Sequence, residues 1–151
     1  MPEKNNLEGI SMLSVLQQLS TRKVRRFVFY AYVFFILFMA LFPFSTVGVT
    51  RLDEVYVVNY RLDHLVHLLA FFPAYAIFFS AFVPTNMVMR ILVFLSALVF
   101  AALAEHLQIF VSYRFYNPAD LYSNMAGVVI GWIGFQIFAA VFPEIFRKYF
   151  C

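Results

Sequence analysis

The chain has 151 residues, of which 64% are hydrophobic and only 13% charged, with 21 Phe and 9 Tyr. Soluble domains run at about 45–50% apolar and ~25% charged, so a soluble core of this size could not hide so much apolar surface, and the expected solvent is a lipid bilayer. The net charge of +3 does not mark a nucleic-acid binder, because the aromatic residues lie inside apolar runs and not among basic residues on a solvated face.

The first 26 residues form an N-terminal segment, and 27–151 a single membrane domain. Leu7, Ile10, Leu13, Leu16 and Leu19 recur mostly every third position. Two readings stay open for them: a short amphipathic helix on the inner membrane surface, or an unstructured tail. Arg22, Lys23, Arg25 and Arg26 follow. Four apolar runs then come at about 27–44, 65–83, 91–111 and 121–142, each near the ~20 residues that a spanning helix needs. The connections between them, 45–64, 84–90 and 112–120, are short. The expected fold is all-α, an integral membrane bundle of four transmembrane helices. The first run exceeds the ~7–15-residue apolar core of a signal peptide, so it is read as an uncleaved span. Cys151, the one cysteine, is expected to be incidental, with reversible acylation at the membrane surface as the alternative.

Basic residues orient the bundle. With the N-terminus cytoplasmic, eight fall inside (Lys4, Arg22, Lys23, Arg25, Arg26, Arg90, Arg147 and Lys148) and three outside (Arg51, Arg61 and Arg114). Both termini are then cytoplasmic, and the first and third loops face outward.

The unusual polar residues all fall at the outer end of this arrangement. Asp63, His64 and His67 open the second run, Glu105 and Gln108 close the third, Arg114 lies in the outer loop, and Asp120 and Asn124 open the fourth. Asp63 and His67 are four apart, Glu105 and Gln108 three apart, and Asp120 and Asn124 four apart, so each pair shares a helix face. Charge facing lipid is expensive, which turns these faces toward one another around a shared, partly hydrated pocket with Arg114 as its capping cation. Asn124, Gly127, Gly131 and Gly134 make a small-residue stripe along the fourth run, suited to close helix packing. Pro73 breaks the second helix.

The local roles divide. Asp120 is expected as N-cap of the fourth helix, Asn124 as a packing and hydrogen-bonding residue, and Gln108 is open. Glu105 is the leading functional residue. Desolvation disfavours its charge unless Arg114 or His67 pairs with it, and it is either a structural ion-pair partner or a poised acid/base or ligand-binding carboxylate. His64 and His67, with Glu105 or Asp63, have the chemistry to hold a divalent metal, but no further strong ligand spacing supports them, so neither a metal nor a cofactor is expected. His106 is rotated about 100° from Glu105 and points elsewhere.

Asp63 followed by His67 at the opening of a span, and Glu105-x-x-Gln108 followed by Arg114, Asp120, Asn124, Gly127 and Gly131, resemble the two signatures of the VanZ-like family. The resemblance covers about 63–134, and His64 departs from it where the family often has lysine. It implies a small multi-spanning protein of the bacterial cell membrane, linked in the naming member to resistance against the glycopeptide teicoplanin. It does not imply a biochemical activity.

Three functions fit these residues. The first is a non-enzymatic protein whose outward pocket binds a lipid-linked envelope precursor, a glycopeptide-like molecule or a membrane protein partner. In the second, a membrane-embedded enzyme acts on a lipid-linked head group, with Glu105 and His67 as the acid/base pair and Arg114 holding an anion. The third, a proton-coupled transporter, lacks titratable residues in the inner half of the bundle. Oligomerisation stays open.

Overall fold

The structure, a computed structural model, describes residues 3–42, 56–57, 60–111 and 116–150, with side chains for 21–42, 61–111, 116–147 and 150. It is an all-α bundle with four segments long and apolar enough to cross a membrane: Thr21–Leu41, Leu62–Phe82, Met87–Phe110 and Pro118–Val141. Four crossings put the two ends of the chain on the same side.

The first span is the second half of one helix, α1 (Glu3–Leu41). The apolar-periodic segment 7–19 is therefore not a separate helix. Nothing between 3 and 41 breaks the backbone: the segment has no proline and one glycine, Gly9, and Arg22, Lys23, Arg25 and Arg26 are good helix formers. Two two-residue strands, β1 (Tyr56–Val57) and β2 (Tyr60–Arg61), pair antiparallel, Tyr56 with Arg61 and Val57 with Tyr60, and deliver the chain to the second span.

That span is two helices, α2 (Leu62–Phe71) and α3 (Ala74–Phe82), divided at Pro73. Proline has no N–H to return to the Leu69 carbonyl, so the α-helical ladder is interrupted there. The helical path survives, because Phe72 N–H reaches the Leu68 carbonyl at 2.9 Å and Ile77 N–H the Pro73 carbonyl at 3.0 Å. α3 stops at Val83, whose φ of 46° is left-handed and unfavourable for a β-branched residue. Asn86 then caps α4 (Met87–His106), its Oδ1 accepting the Met89 N–H at 2.9 Å. The last turn of this span tightens into a 3-10 turn, Leu107–Phe110. α5 (Pro118–Val141) is the fourth span, and α6 (Pro143–Phe150) folds back beside it.

The surface of the bundle is apolar and its interior contains the polar residues, the reverse of a soluble protein. Phe27, Phe34, Leu69, Phe110 and Tyr122 are each at least 65% exposed, whereas Glu105 is fully buried and Asn124 and Gln108 nearly so. Such a surface is stable only against hydrocarbon, so the environment of this chain is a lipid bilayer.

Each inner face follows helical periodicity. On α4 the buried stripe is Val93, Ala97, Ala101 and then Glu105. On α5 it is Asp120, Asn124, Val128, Gly131 and Phe135. On the second span Phe71, Ala74, Tyr75, Phe78 and Phe79 are buried. The buried alanines of α4, Ala97, Ala101 and Ala104, let it sit close to its neighbours. At the end near the termini, aromatic rings fill the interior: Phe135 contacts Tyr75, Phe79, Phe146 and Phe150 with centroids 4.9–5.4 Å apart. Beyond the expected end of the last run at 142, α6 places Phe146 and Phe150 on this cluster and leaves Glu144 and Arg147 exposed. Arg90 stacks its guanidinium 5.9 Å from the Phe79 ring at the same end.

The tightest seam lies between α2 and α5. A Cβ on Gly127 would collide with the Leu68 carbonyl oxygen, and one on Gly131 with the Phe72 carbonyl. Backbone meets backbone here, as small residues allow in membranes. At Gly134 the helices have diverged, and a Cβ would rest 3.8 Å from the Phe72 ring, an ordinary contact. The stripe is therefore obligatory at two positions and optional at the third. Gly131→Leu should sharply reduce the yield of folded, monodisperse protein in detergent. Gly134→Ala, and Ile130→Leu on the exposed face, should leave it within about twofold. Equal yields from all three would remove the seam.

Candidate functional site

The polar site stands where three buried stripes end together, at the end of the bundle opposite the termini. α2 begins there, α4 finishes there, and α5 begins there. Its geometry starts with how α5 starts. Asn117 is the N-cap, its Oδ1 accepting the Ala119 N–H at 3.1 Å, and Pro118 occupies the first helical position. Proline suits that position because its missing N–H would have no intrahelical partner. This corrects the expectation for Asp120: it is in the first turn, not at the cap. The Asn-Pro dipeptide is the signal that marks the earlier start. With the cap supplied by Asn117, the Asp120 carboxylate is turned inward, and the residue is only 9% exposed.

Glu105 reaches the same point from α4. It continues the Val93–Ala97–Ala101 stripe by one more turn and is fully buried. Its Oε1 accepts the backbone N–H of Asn117 at 3.3 Å, so it ties the end of the third span to the start of the fourth. Gln108, three residues on in the 3-10 turn, is also buried. His106 is exposed, with Nδ1 2.8 Å from the Ala102 carbonyl and its ring against Tyr116, and takes no part.

α2 brings Asp63, His64 and His67. Asp63 pairs with Arg61 at 2.7 Å, and its other oxygen accepts the His64 N–H at 2.9 Å. His67 crosses the α2–α5 seam: its Nδ1 lies 2.9 Å from Asn124 Oδ1. An amide oxygen only accepts, so with this assignment Nδ1 carries the proton and Nε2 is left as a lone pair. Nε2 points at Asp120 Oδ2, 3.9 Å away. His64, weighed from the sequence only as a candidate metal ligand, faces the other Asp120 oxygen, its Nε2 3.4 Å from Oδ1. The signal for its inclusion was its position three residues before His67, on the same helix face.

Asp63, His67, Glu105, Asp120 and Asn124 are thus brought together, with Gln108 buried nearby and His64 added. Arg114, the expected cap of the pocket, lies outside the described residues. Among the described residues of the cluster, three carboxylates (Asp63, Glu105 and Asp120) face one guanidinium (Arg61) and two imidazoles. The arrangement can accept hydrogen bonds, exchange protons and attract cations.

Compared with known proteins, the chain matches no family model, no curated protein and no solved structure. What the site does has to follow from its own geometry.

The Asn124–His67 bond is the cross-seam contact most exposed to test. Asn124→Ala removes the acceptor from a part-buried imidazole, and losing one such hydrogen bond costs about 0.5–1.5 kcal/mol. Its thermal unfolding midpoint in detergent should fall by several degrees. Ser123→Ala, which loses only a hydroxyl bonded within its own helix to Ala119 at 2.9 Å, should barely move it.

Proposed function

We propose that this chain is a VanZ-like multi-pass protein of the bacterial cell membrane, with both termini cytoplasmic. On this reading its polar site faces outward and binds the polar head of an envelope lipid or glycan precursor, or a glycopeptide-like molecule. The observation that carries it is the convergence of Asp63, His67, Glu105, Asp120 and Asn124 at one end of three spans. Burying that many polar groups in a membrane protein is expensive and marks a functional site by default. The residue pattern that resembles the VanZ-like signatures is the same set of residues, and glycopeptide resistance is the phenotype which that resemblance brings. The outward assignment rests on the basic residues: Arg22, Lys23, Arg25, Arg26, Arg90 and Arg147 all belong to the opposite end.

A second reading, an enzyme acting on the same head group, is favoured by one contact. His67 is held through Nδ1 by Asn124 and turns Nε2 toward Asp120, the way a general base is oriented by a neighbouring group. Mass spectrometry of lipids that copurify with the gently extracted protein separates the two. Intact precursor supports binding, and a cleaved or rebuilt head group supports turnover.

Orientation is checked by thiol labelling in a Cys151→Ser background, which removes the one native cysteine. Tyr116→Cys should react with an impermeant reagent applied outside the cell, and Thr85→Cys should not. The reverse pattern would move the site to the cytoplasm. Function is checked by complementation of a deletion strain for envelope or glycopeptide sensitivity. Glu105→Gln keeps the shape and the Asn117 contact but removes the charge, and should lose at least tenfold in protection while the protein still accumulates. Arg114→Lys should do the same, because lysine lacks the bidentate fork that suits carboxylate or phosphate. Full protection by both would exclude them from the mechanism.

A further inference from the structure

We propose that the polar end of the bundle is a binding site for a first-row divalent metal ion, centred on Asp120. The inference goes beyond the head-group reading and does not depend on it.

Two groups of ligand-type side chains share Asp120. Asp63, His64 and Asp120 form one, and His67, Glu105 and Asp120 the other. Within each, one ligand atom per residue lies within 4.8 Å of the others. The two Asp120 oxygens divide between them, Oδ1 toward His64 and Oδ2 toward His67. A carboxylate placed this way can hold one ion on either oxygen or bridge two.

Distance decides against a simple charged hydrogen bond. An imidazolium on a carboxylate closes to about 2.7–2.9 Å. His64 Nε2 stands 3.4 Å from Asp120 Oδ1, and neither buried atom has a hydrogen-bond partner among the described residues. Two atoms that each bind the same tetrahedral ion at about 2.0–2.2 Å stand about 3.3–3.6 Å apart. The His64–Asp120 separation therefore matches the edge of a coordination polyhedron. The His67–Asp120 separation of 3.9 Å needs only a few tenths of an ångström of closure.

The surroundings favour a cation for two further reasons. His67 Nδ1 lies 2.9 Å from Asn124 Oδ1, which leaves Nε2 as the nitrogen facing Asp120, in the way metal-bound histidines are held by an acceptor on their other nitrogen. The carboxylate at the centre lies deep: Asp120 is nine-tenths buried, between His64 and His67. Imidazole with carboxylate is the donor set of zinc, manganese or ferrous iron; magnesium and calcium prefer all-oxygen sites.

The test uses the full chain in detergent, with Cys151→Ser and any affinity tag removed, stripped with chelator and titrated with Zn²⁺. Co²⁺ is titrated in parallel for its visible absorption. One or two ions per chain should bind with micromolar affinity or better. Asp120→Asn, nearly isosteric, should abolish binding. His64→Ala and His67→Ala should each weaken it at least tenfold, and His106→Ala should leave it unchanged. Should Asp120→Asn fail to fold, the wild-type Co²⁺ spectrum and the two histidine variants carry the decision. A wild-type protein that binds neither ion above background overturns the proposal, as does binding that survives the loss of both histidines. Because the probe is the metal alone, a negative result leaves the head-group reading standing, and a failed complementation assay leaves the metal site standing.

Discussion

Everything at the polar end depends on how closely α5 lies on α2. Gly127 and Gly131 bring the α5 backbone against the Leu68 and Phe72 carbonyls. That approach is what puts Asn124, one turn above Gly127, within 2.9 Å of the His67 ring. Water is scarce in the interior, so the polar side chains must satisfy one another. A side chain at either glycine would push the helices apart, and the first contacts to open would be those that hold the imidazole.

The break at Pro73 and the glycine seam belong together. The chain changes from α2 to α3 at Phe72–Pro73, and the Phe72 carbonyl lies at the turn that Gly131 must admit. Above the break, α2 runs along α5 and carries the histidines. Below it, α3 turns its aromatic face to Phe135 and, through it, to α6. The two ends of the bundle are thus built from different chemistry. Rings locked edge to face fill the end near the termini, and a small set of hydrogen-bonded polar groups fills the other. Rigid aromatic packing at one end fixes the helix positions that the polar end needs.

The spans and the inner faces were legible because hydrophobic periodicity reports directly on which side of a helix meets lipid. Glu105 could be placed at the outer end of the third run, and Asn124 at a packed seam, from spacing alone. What spacing could not give was the start of α5. Asp120 has the chemistry of a cap, but Asn117 and Pro118 took that role, and local chemistry with two suitable candidates does not choose between them without the backbone. The pairing of His64 with Asp120 was similarly hidden. The neighbouring His67 lies on the same face, yet whether a side chain at the very start of a helix reaches across to another depends on the lateral order of the helices, which hydropathy does not encode. α6 was missed because eight residues are too few to span, and its value lies only in the two phenylalanines that meet Phe79 and Phe135.

Charge balance is the last constraint on what the site can accept. Isolated charge in a membrane interior costs several kcal/mol per ion even after relaxation, so the chain retains Glu105 and Asp120 only with compensation nearby. Asn117 gives Glu105 a backbone N–H and Arg61 neutralises Asp63, but Asp120 has two imidazoles at separations of 3.4 and 3.9 Å and, among the described residues, no hydrogen-bond donor on Oδ1. An anionic head group approaching Asp120 directly would meet like charge. A divalent ion held at Asp120 would outweigh the charge of that carboxylate and give a phosphate or carboxylate something to bind. The reading as a head-group site and the reading as a metal site therefore lean on the same carboxylate, and its state of compensation decides which ligands the polar end of this bundle can hold.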